Sequence, residues 1–168
     1  IQRLVGSEMC IRDSIGNDVL YSGTVGAAVG GRNLKYPPIA ISVASYDAKD
    51  IDFISLKSIE IIERIIQKSD EYKGKVININ FPDINSDEFK GVKATVISKR
   101  DVPPKPILVS EDGENQSIYR YNYSGEPLEE DFLTDAIAVQ EGYVSVSVLD
   151  YSLNSKIFID QLNRILNE

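Results

Sequence analysis

The sequence contains no histidine and no tryptophan, and its one cysteine and one methionine stand side by side as Met9 and Cys10. Without histidine there is no imidazole general base, no Ser-His-Asp triad and no histidine-bearing zinc site. A single cysteine rules out an internal disulfide and any multi-thiolate metal site. It makes a reducing compartment, the cytoplasm, the expected location. No apolar run approaches the ~20 residues that span a bilayer, so no membrane partner is expected. The 18 Lys and Arg are outnumbered by 26 Asp and Glu, for a net charge of −8. That balance disfavours a nucleic-acid polymer as partner, because such binding needs clustered cations against phosphates. One small phosphorylated ligand held by backbone N–H groups remains compatible. Any hydrolytic chemistry must rest on carboxylates, hydroxyls, backbone amides and an oxygen-liganded cation such as Mg²⁺ or Mn²⁺.

What is present is the composition of one globular domain: 168 residues, 42% hydrophobic and 26% charged. The segment 19–34, VLYSGTVGAAVGGRNL, reads as a turn followed by a helix of small residues suited to close packing on a sheet, with Ser22 as its N-cap. PPIAISVAS (37–45) is a near-continuous apolar run after a proline break, which predicts a buried parallel strand. The isoleucine stripe of residues 50–69 predicts an amphipathic helix, and KVININFP (75–82) an alternating strand. Helix, strand, helix, strand in that order predicts an α/β fold of crossover units. Further on, VKATVISKR (92–100) reads as a strand, 101–109 as an extended proline-stiffened segment, and SEDGENQ (110–116) as a turn. SIYRYNYSG (117–125) puts Tyr119, Tyr121 and Tyr123 on one strand face, fit either for an arm reaching a partner or for packing within the subunit. A strand at 143–149 and an amphipathic helix at 155–168 close the chain.

The best candidate for chemistry is Tyr21-Ser22-Gly23-Thr24 at a helix start. Free N–H groups and the helix dipole favour an anion there, Gly23 permits close approach, and the Ser22 and Thr24 hydroxyls are potential phosphate donors. An N-cap alone accounts for the same residues equally well. The acidic residues Glu129, Glu130 and Asp131 read as a solvated loop, Asp83, Asp87 and Glu88 as turn formers, and Asp135 as a residue capping or bracing a loop. None has the spacing of a known metal loop.

Three stretches together resemble one family, the stationary-phase survival protein SurE, a metal-dependent nucleotidase. They are GNDVLYSGTVGAAVGGRNLKYPPIAISVAS (16–45), KVININFPD (75–83) and LTDAIAVQEGYVSVSVL (133–149), in the family's order. The resemblance implies a three-layer Rossmann-like α/β core over residues 15–168, with a protruding β-hairpin arm at about 92–125 and a C-terminal helix. It implies a phosphomonoesterase acting on nucleoside 5′- or 3′-monophosphates, a divalent cation (Mg²⁺ or Mn²⁺), and a homodimer or homotetramer assembled through the arm and C-terminal elements. Ser22, Gly23 and Thr24 would bind the substrate phosphate. The family's metal ligands, two adjacent aspartates and a serine, would lie upstream, and no Asp-Asp pair occurs in the 168 residues. Counted back from Tyr21, the family's asparagine ligand falls at Cys10, in unmatched surroundings.

Within the heptapeptide EMCIRDS (8–14), Met-Cys-Ile-Arg-Asp is what the transposon-end adapter AGATGTGTATAAGAGACAG encodes in one frame, and its two end nucleotides on each side fit the Glu and Ser codons. Residues 1–14 are therefore expected to be foreign, joined to a gene truncated at its 5′ side. The chain opens Ile-Gln-Arg, with neither an initiator methionine nor a charged-then-apolar leader, in keeping with that expectation. The truncated piece is expected to lack catalytic residues, to bind no metal, and to leave an open edge at the strand of 37–45. A second reading is a non-catalytic α/β ligand-binding or assembly module that never had the aspartate pair.

Overall fold

The computed structural model describes residues 14–167 apart from 46, 103–104, 113–115, 121–127, 129 and 152–157, with backbone alone for 109–112 and 116–120. A 3-10 turn at Gly16–Leu20 leads into helix α1 (Gly23–Gly30), strand β1 (Ile39–Val43), helix α2 (Ile51–Ile66) and strand β2 (Val76–Phe81). Strands β3 (Val92–Thr95), β4 (Ile107–Asp112) and β5 (Gln116–Arg120) follow, then helix α3 (Asp135–Gln140), strand β6 (Val144–Leu149) and helix α4 (Ile159–Asn167).

The main sheet is mixed, in the order β1-β2-β6-β3. β1 runs parallel to β2, β2 antiparallel to β6, and β6 parallel to β3. The parallel β1–β2 pair requires a crossover, and α2 supplies it. Asp50 caps α2, its Oδ1 accepting from Phe53 N at 3.0 Å. That bond holds the Asp50 carboxyl below its ordinary 3.8. Ile54, Ser58 and Ile61, four and three residues apart, are the face that α2 buries. They meet Ile77, Ile79, Phe81 and Val144 on one side of the sheet. On the other side Val25 of α1 and Val19 of the 3-10 turn pack with Ala40, Val76 and Leu149. Full burial of Ile77, Ile79 or Phe81 contributes about 1.5–3 kcal/mol each.

Four local expectations are revised. The strand of 37–45 was expected to be buried. β1 is only partly buried, with Ala40 alone fully inside, and it stands at the edge of the described sheet, where the truncation was expected to leave one open. β2 alternates Ile and Asn, yet all six positions are buried, so its polar face does not meet water. Residues 92–95, expected in the arm, form β3 of the main sheet, and the antiparallel hairpin is the separate β4–β5 pair. The hairpin strands also reach further toward the tip than a turn at 110–116 allows. Tyr121 and Tyr123, and the side chain of Tyr119, lie outside the described residues.

Candidate functional site

The candidate turn is built by a serine cap. Ser22 has extended backbone (φ −71°, ψ 120°), and its hydroxyl accepts from Val25 N at 3.2 Å, while Gly26 N donates to its carbonyl at 2.8 Å. The first of these bonds satisfies one of the N–H groups that the first turn leaves orphaned, and the second is the helix's own first i→i−4 bond. The N–H groups of Gly23 and Thr24 have no partner among the described residues, and both point from the positive end of α1. Tyr21 beside them is exposed, as is Gly23, and Thr24 is half-buried. Ser22 itself is buried, and its Oγ lies 2.9 Å from Ser14 Oγ. Its hydroxyl therefore braces the turn, and the amides of Gly23 and Thr24 are left unpaired among the described residues.

Beneath the turn lies a buried polar layer on one face of the main sheet. Ser42 Oγ donates to Ser14 Oγ at 2.8 Å. Asn78 and Asn80 both donate Nδ2 to the Ser14 carbonyl, at 2.7 and 3.0 Å. Thr95 Oγ1 lies 2.8 Å from both Ser145 Oγ and Ser147 Oγ. Burying such groups is tolerable only when they bond one another. Asn78 Oδ1 and Asn80 Oδ1 do not, and each unpaired acceptor costs about 1–3 kcal/mol.

Asp135, read from sequence as bracing a loop, is completely buried at the start of α3. Its Oδ2 accepts from Gly16 N at 2.7 Å, and its Oδ1 from Ser98 N and Ala136 N at 2.8 Å each. Asn17 N donates to Ser98 O at 3.1 Å. The chain entering the candidate turn is thus pinned to β2 on one side and to the 98–135 region on the other. The sequence signal for this was the Thr-Asp pair before Ala-Ile-Ala, where Thr134 caps α3 by accepting from Ile137 N at 3.4 Å.

The other acidic residues serve local structure. Asp83 Oδ1 accepts from Lys49 N at 3.0 Å, Glu88 closes a capping box with Asn85, and Glu130 pairs with Lys99 at 3.0 Å. Among the described residues no three His, Cys, Asp or Glu side chains come together where they could hold a metal ion. The residues described do not fit the divalent cation that the sequence resemblance implies. Cys10 and Glu129 lie outside the described residues, and no helix among those described is long and apolar enough to cross a membrane.

A mixed four-stranded sheet carrying a serine-capped, small-residue helix over a buried Ser-Asn layer defines an α/β protein. The family model described as Survival protein SurE matches residues 4–103, and the chain belongs to that family. The match includes most of the stretch expected to be foreign. The chain is 34% identical over 142 residues to the 5'/3'-nucleotidase SurE of Yersinia pseudotuberculosis serotype O:1b (strain IP 31758), covering 84% of this chain and 54% of that protein. The same identity and coverage hold for the 5'/3'-nucleotidase SurE of Yersinia pestis (strain Pestoides F). The chain thus spans about half the length of these curated relatives. The crystal structure of the SurE protein from Aquifex aeolicus superposes with a TM-score of 0.73 at 27% identity, over 91% of this chain and 61% of that one.

Proposed function

We propose that this chain is the C-terminal portion of a metal-dependent phosphomonoesterase that hydrolyses nucleoside 5′- or 3′-monophosphates to nucleoside and phosphate. On this reading the 168-residue chain alone does not turn over. The supporting observation is the capped turn of a SurE-family chain, with its Gly23 and Thr24 amides left unpaired among the described residues at the α1 N-terminus. Two such N–H groups and the helix dipole suit a phosphoryl dianion, and they are fixed before the ligand arrives. In this assignment Gly23 and Thr24 contact phosphate oxygens, Thr24 Oγ1 adds a third donor, and Ser22 holds the turn's shape. The finer fold assignment is the three-layer Rossmann-like core of the family. On this reading a divalent cation would be held by residues upstream of this chain, where it would supply positive charge beside the phosphoryl group.

The purified chain is therefore expected to release no phosphate above an enzyme-free blank from nucleoside 5′- or 3′-monophosphates with Mg²⁺ or Mn²⁺. Saturable turnover overturns the assignment of the chain as an inactive piece. The gene's upstream sequence separates the enzyme from the non-catalytic module. A strand ending in Asn-Asp-Asp supports the enzyme, and a native start codon near Ile15 supports the module. The same reading takes residues 1–14 as foreign. Finding different codons for residues 8–14 in an independent clone ends that part of it.

Self-association is proposed through the β4–β5 hairpin and α4, with the cytoplasm as the working location. α4 buries none of its residues, and Ile159, Leu162, Ile165 and Leu166 lie exposed at helical spacing. Since α4 adds nothing to the described core, Leu162→Asp is expected to lower assembly size while changing unfolding free energy by less than about 0.5 kcal/mol. Light scattering with parallel urea denaturation reads both quantities.

A further inference from the structure

We propose that Asn78 and Asn80 are positioning residues for the candidate phosphate turn. Their two carboxamides clamp one main-chain carbonyl, that of residue 14, and through it fix where the first turn of α1 presents its amides. The proposal rests on the reading of that turn as a phosphate site.

The two asparagines occupy alternate positions of β2 and so share a sheet face, opposite the face of Ile77, Ile79 and Phe81 that packs against α2. They are 0% and 1% exposed. A side chain wanted there only for packing would be aliphatic, as Val76 is on the same face. A side chain wanted only to satisfy neighbours would bond through both ends. These two do neither. Both amide nitrogens converge on a single oxygen, at 2.7 and 3.0 Å, and both amide oxygens are without a partner among the described residues. Two buried groups held in one orientation at the expense of their acceptors indicate that the donated bonds are what the position requires.

Two donors from alternate positions along one strand fix the carbonyl both along the strand and across it, as a bidentate contact does. The acceptor is backbone, so the clamp itself does not depend on which side chain stands at position 14, whereas the contact that links it to Ser22 does. From there the connection to the turn is short. Ser14 Oγ reaches Ser22 Oγ at 2.9 Å, and the next residues are held by Gly16 N to Asp135 and Asn17 N to Ser98. Releasing the clamp would free one side of this entry while Asp135 still holds the other. The body of the helix should then remain formed, while its first turn loosens and Gly23 and Thr24 lose their fixed aim.

The test is a titration of the ¹⁵N-labelled chain with inorganic phosphate, followed at the amides of Gly23 and Thr24. Saturable shifts are expected in the wild type, with phosphate affinity weakened at least fivefold in Asn78→Ala and in Asn80→Ala. Ile77→Val, on the apolar face of the same strand, is the stability control and should lower the melting temperature with affinity unchanged. Asparagine variants within twofold of wild type overturn the proposal. So does a control that weakens phosphate as much at equal loss of melting temperature. If the wild type shows no saturable shift, the phosphate reading of the turn fails instead. The clamp is then judged by hydrogen exchange at Val25 and Gly26. Exchange at least fivefold faster in the asparagine variants than in Ile77→Val supports it, and equal exchange overturns it.

Discussion

Asp135→Ala is expected to lower the free energy of unfolding by about 3–5 kcal/mol, measured by urea denaturation of the purified chain. The substitution removes the acceptor from three backbone donors, Gly16 N, Ser98 N and Ala136 N, that meet a fully buried carboxylate. Each N–H stranded in the interior costs about 1–3 kcal/mol, and bonds to an ionised acceptor lie at the strong end of the range. The total stays below the sum of three because Ala136 N belongs to the first turn of α3 and can reach water. Asp135→Asn sharpens the test. It keeps the volume and one acceptor, but turns the other end into an NH₂ group facing a backbone N–H. A loss of about 2 kcal/mol or more is expected there as well. If both variants lose less than about 1 kcal/mol, water replaces the carboxylate and Asp135 is not the brace that holds the entry to the turn.

This brace marks where the sequence stopped being legible. Asp135 and Gly16 are 119 residues apart, and no periodicity or spacing reports a contact at that range. The residue's type and its Thr134 neighbour indicated a cap or brace, but not what was braced. α3 escaped notice for a related reason. Six residues, Asp135–Gln140, make fewer than two turns, too few to show a 3.6-residue pattern. α2, by contrast, repeats its isoleucines over sixteen residues with an aspartate at the cap, so its existence and its start could be read directly, while its end falls three residues short of the expected 69.

Alternation in β2 was legible, but its meaning was not. An Ile-Asn-Ile-Asn pattern ordinarily places asparagine in water. Here α1 and the 3-10 turn cover that face, and the asparagines turn their donors onto a carbonyl instead of solvent. β1 illustrates the reverse case. Its apolar run suggested a strand covered on both sides, while the described sheet ends at it. β3 was read as the base of the arm because its pairing with β6 joins segments about fifty residues apart, Val92 with Val144. In the candidate site, the cap at Ser22 was readable from residue type. What the sequence could not decide was whether its hydroxyl would face a ligand or its own helix. In the structure the hydroxyl accepts from Val25 N and lies 2.9 Å from Ser14 Oγ.

Gly16→Ala is the second substitution expected to have a large effect, a destabilisation of about 2–4 kcal/mol by the same measurement. Gly16 has φ +65°, a conformation in which a Cβ is strained. Here the strain is joined by a collision. An added Cβ would stand 2.7 Å from Ser98 Oγ and 2.8 Å from Ser98 O. The hydroxyl can rotate away, but the carbonyl cannot retreat without breaking its 3.1 Å bond from Asn17 N. That bond lies next to the Gly16–Asp135 contact, so relief of the clash would disturb both. Strain of this kind costs of order 1–3 kcal/mol, and the lost backbone bond adds to it. Gly26→Ala is the matched comparison. It sits inside α1 with nothing within 4 Å of its added Cβ and no positive φ, so it should stabilise by about 0.5–1 kcal/mol through helix propensity. Opposite signs at two glycines ten residues apart would show that close approach at the entry to the turn, and not a general need for small residues, requires glycine at 16.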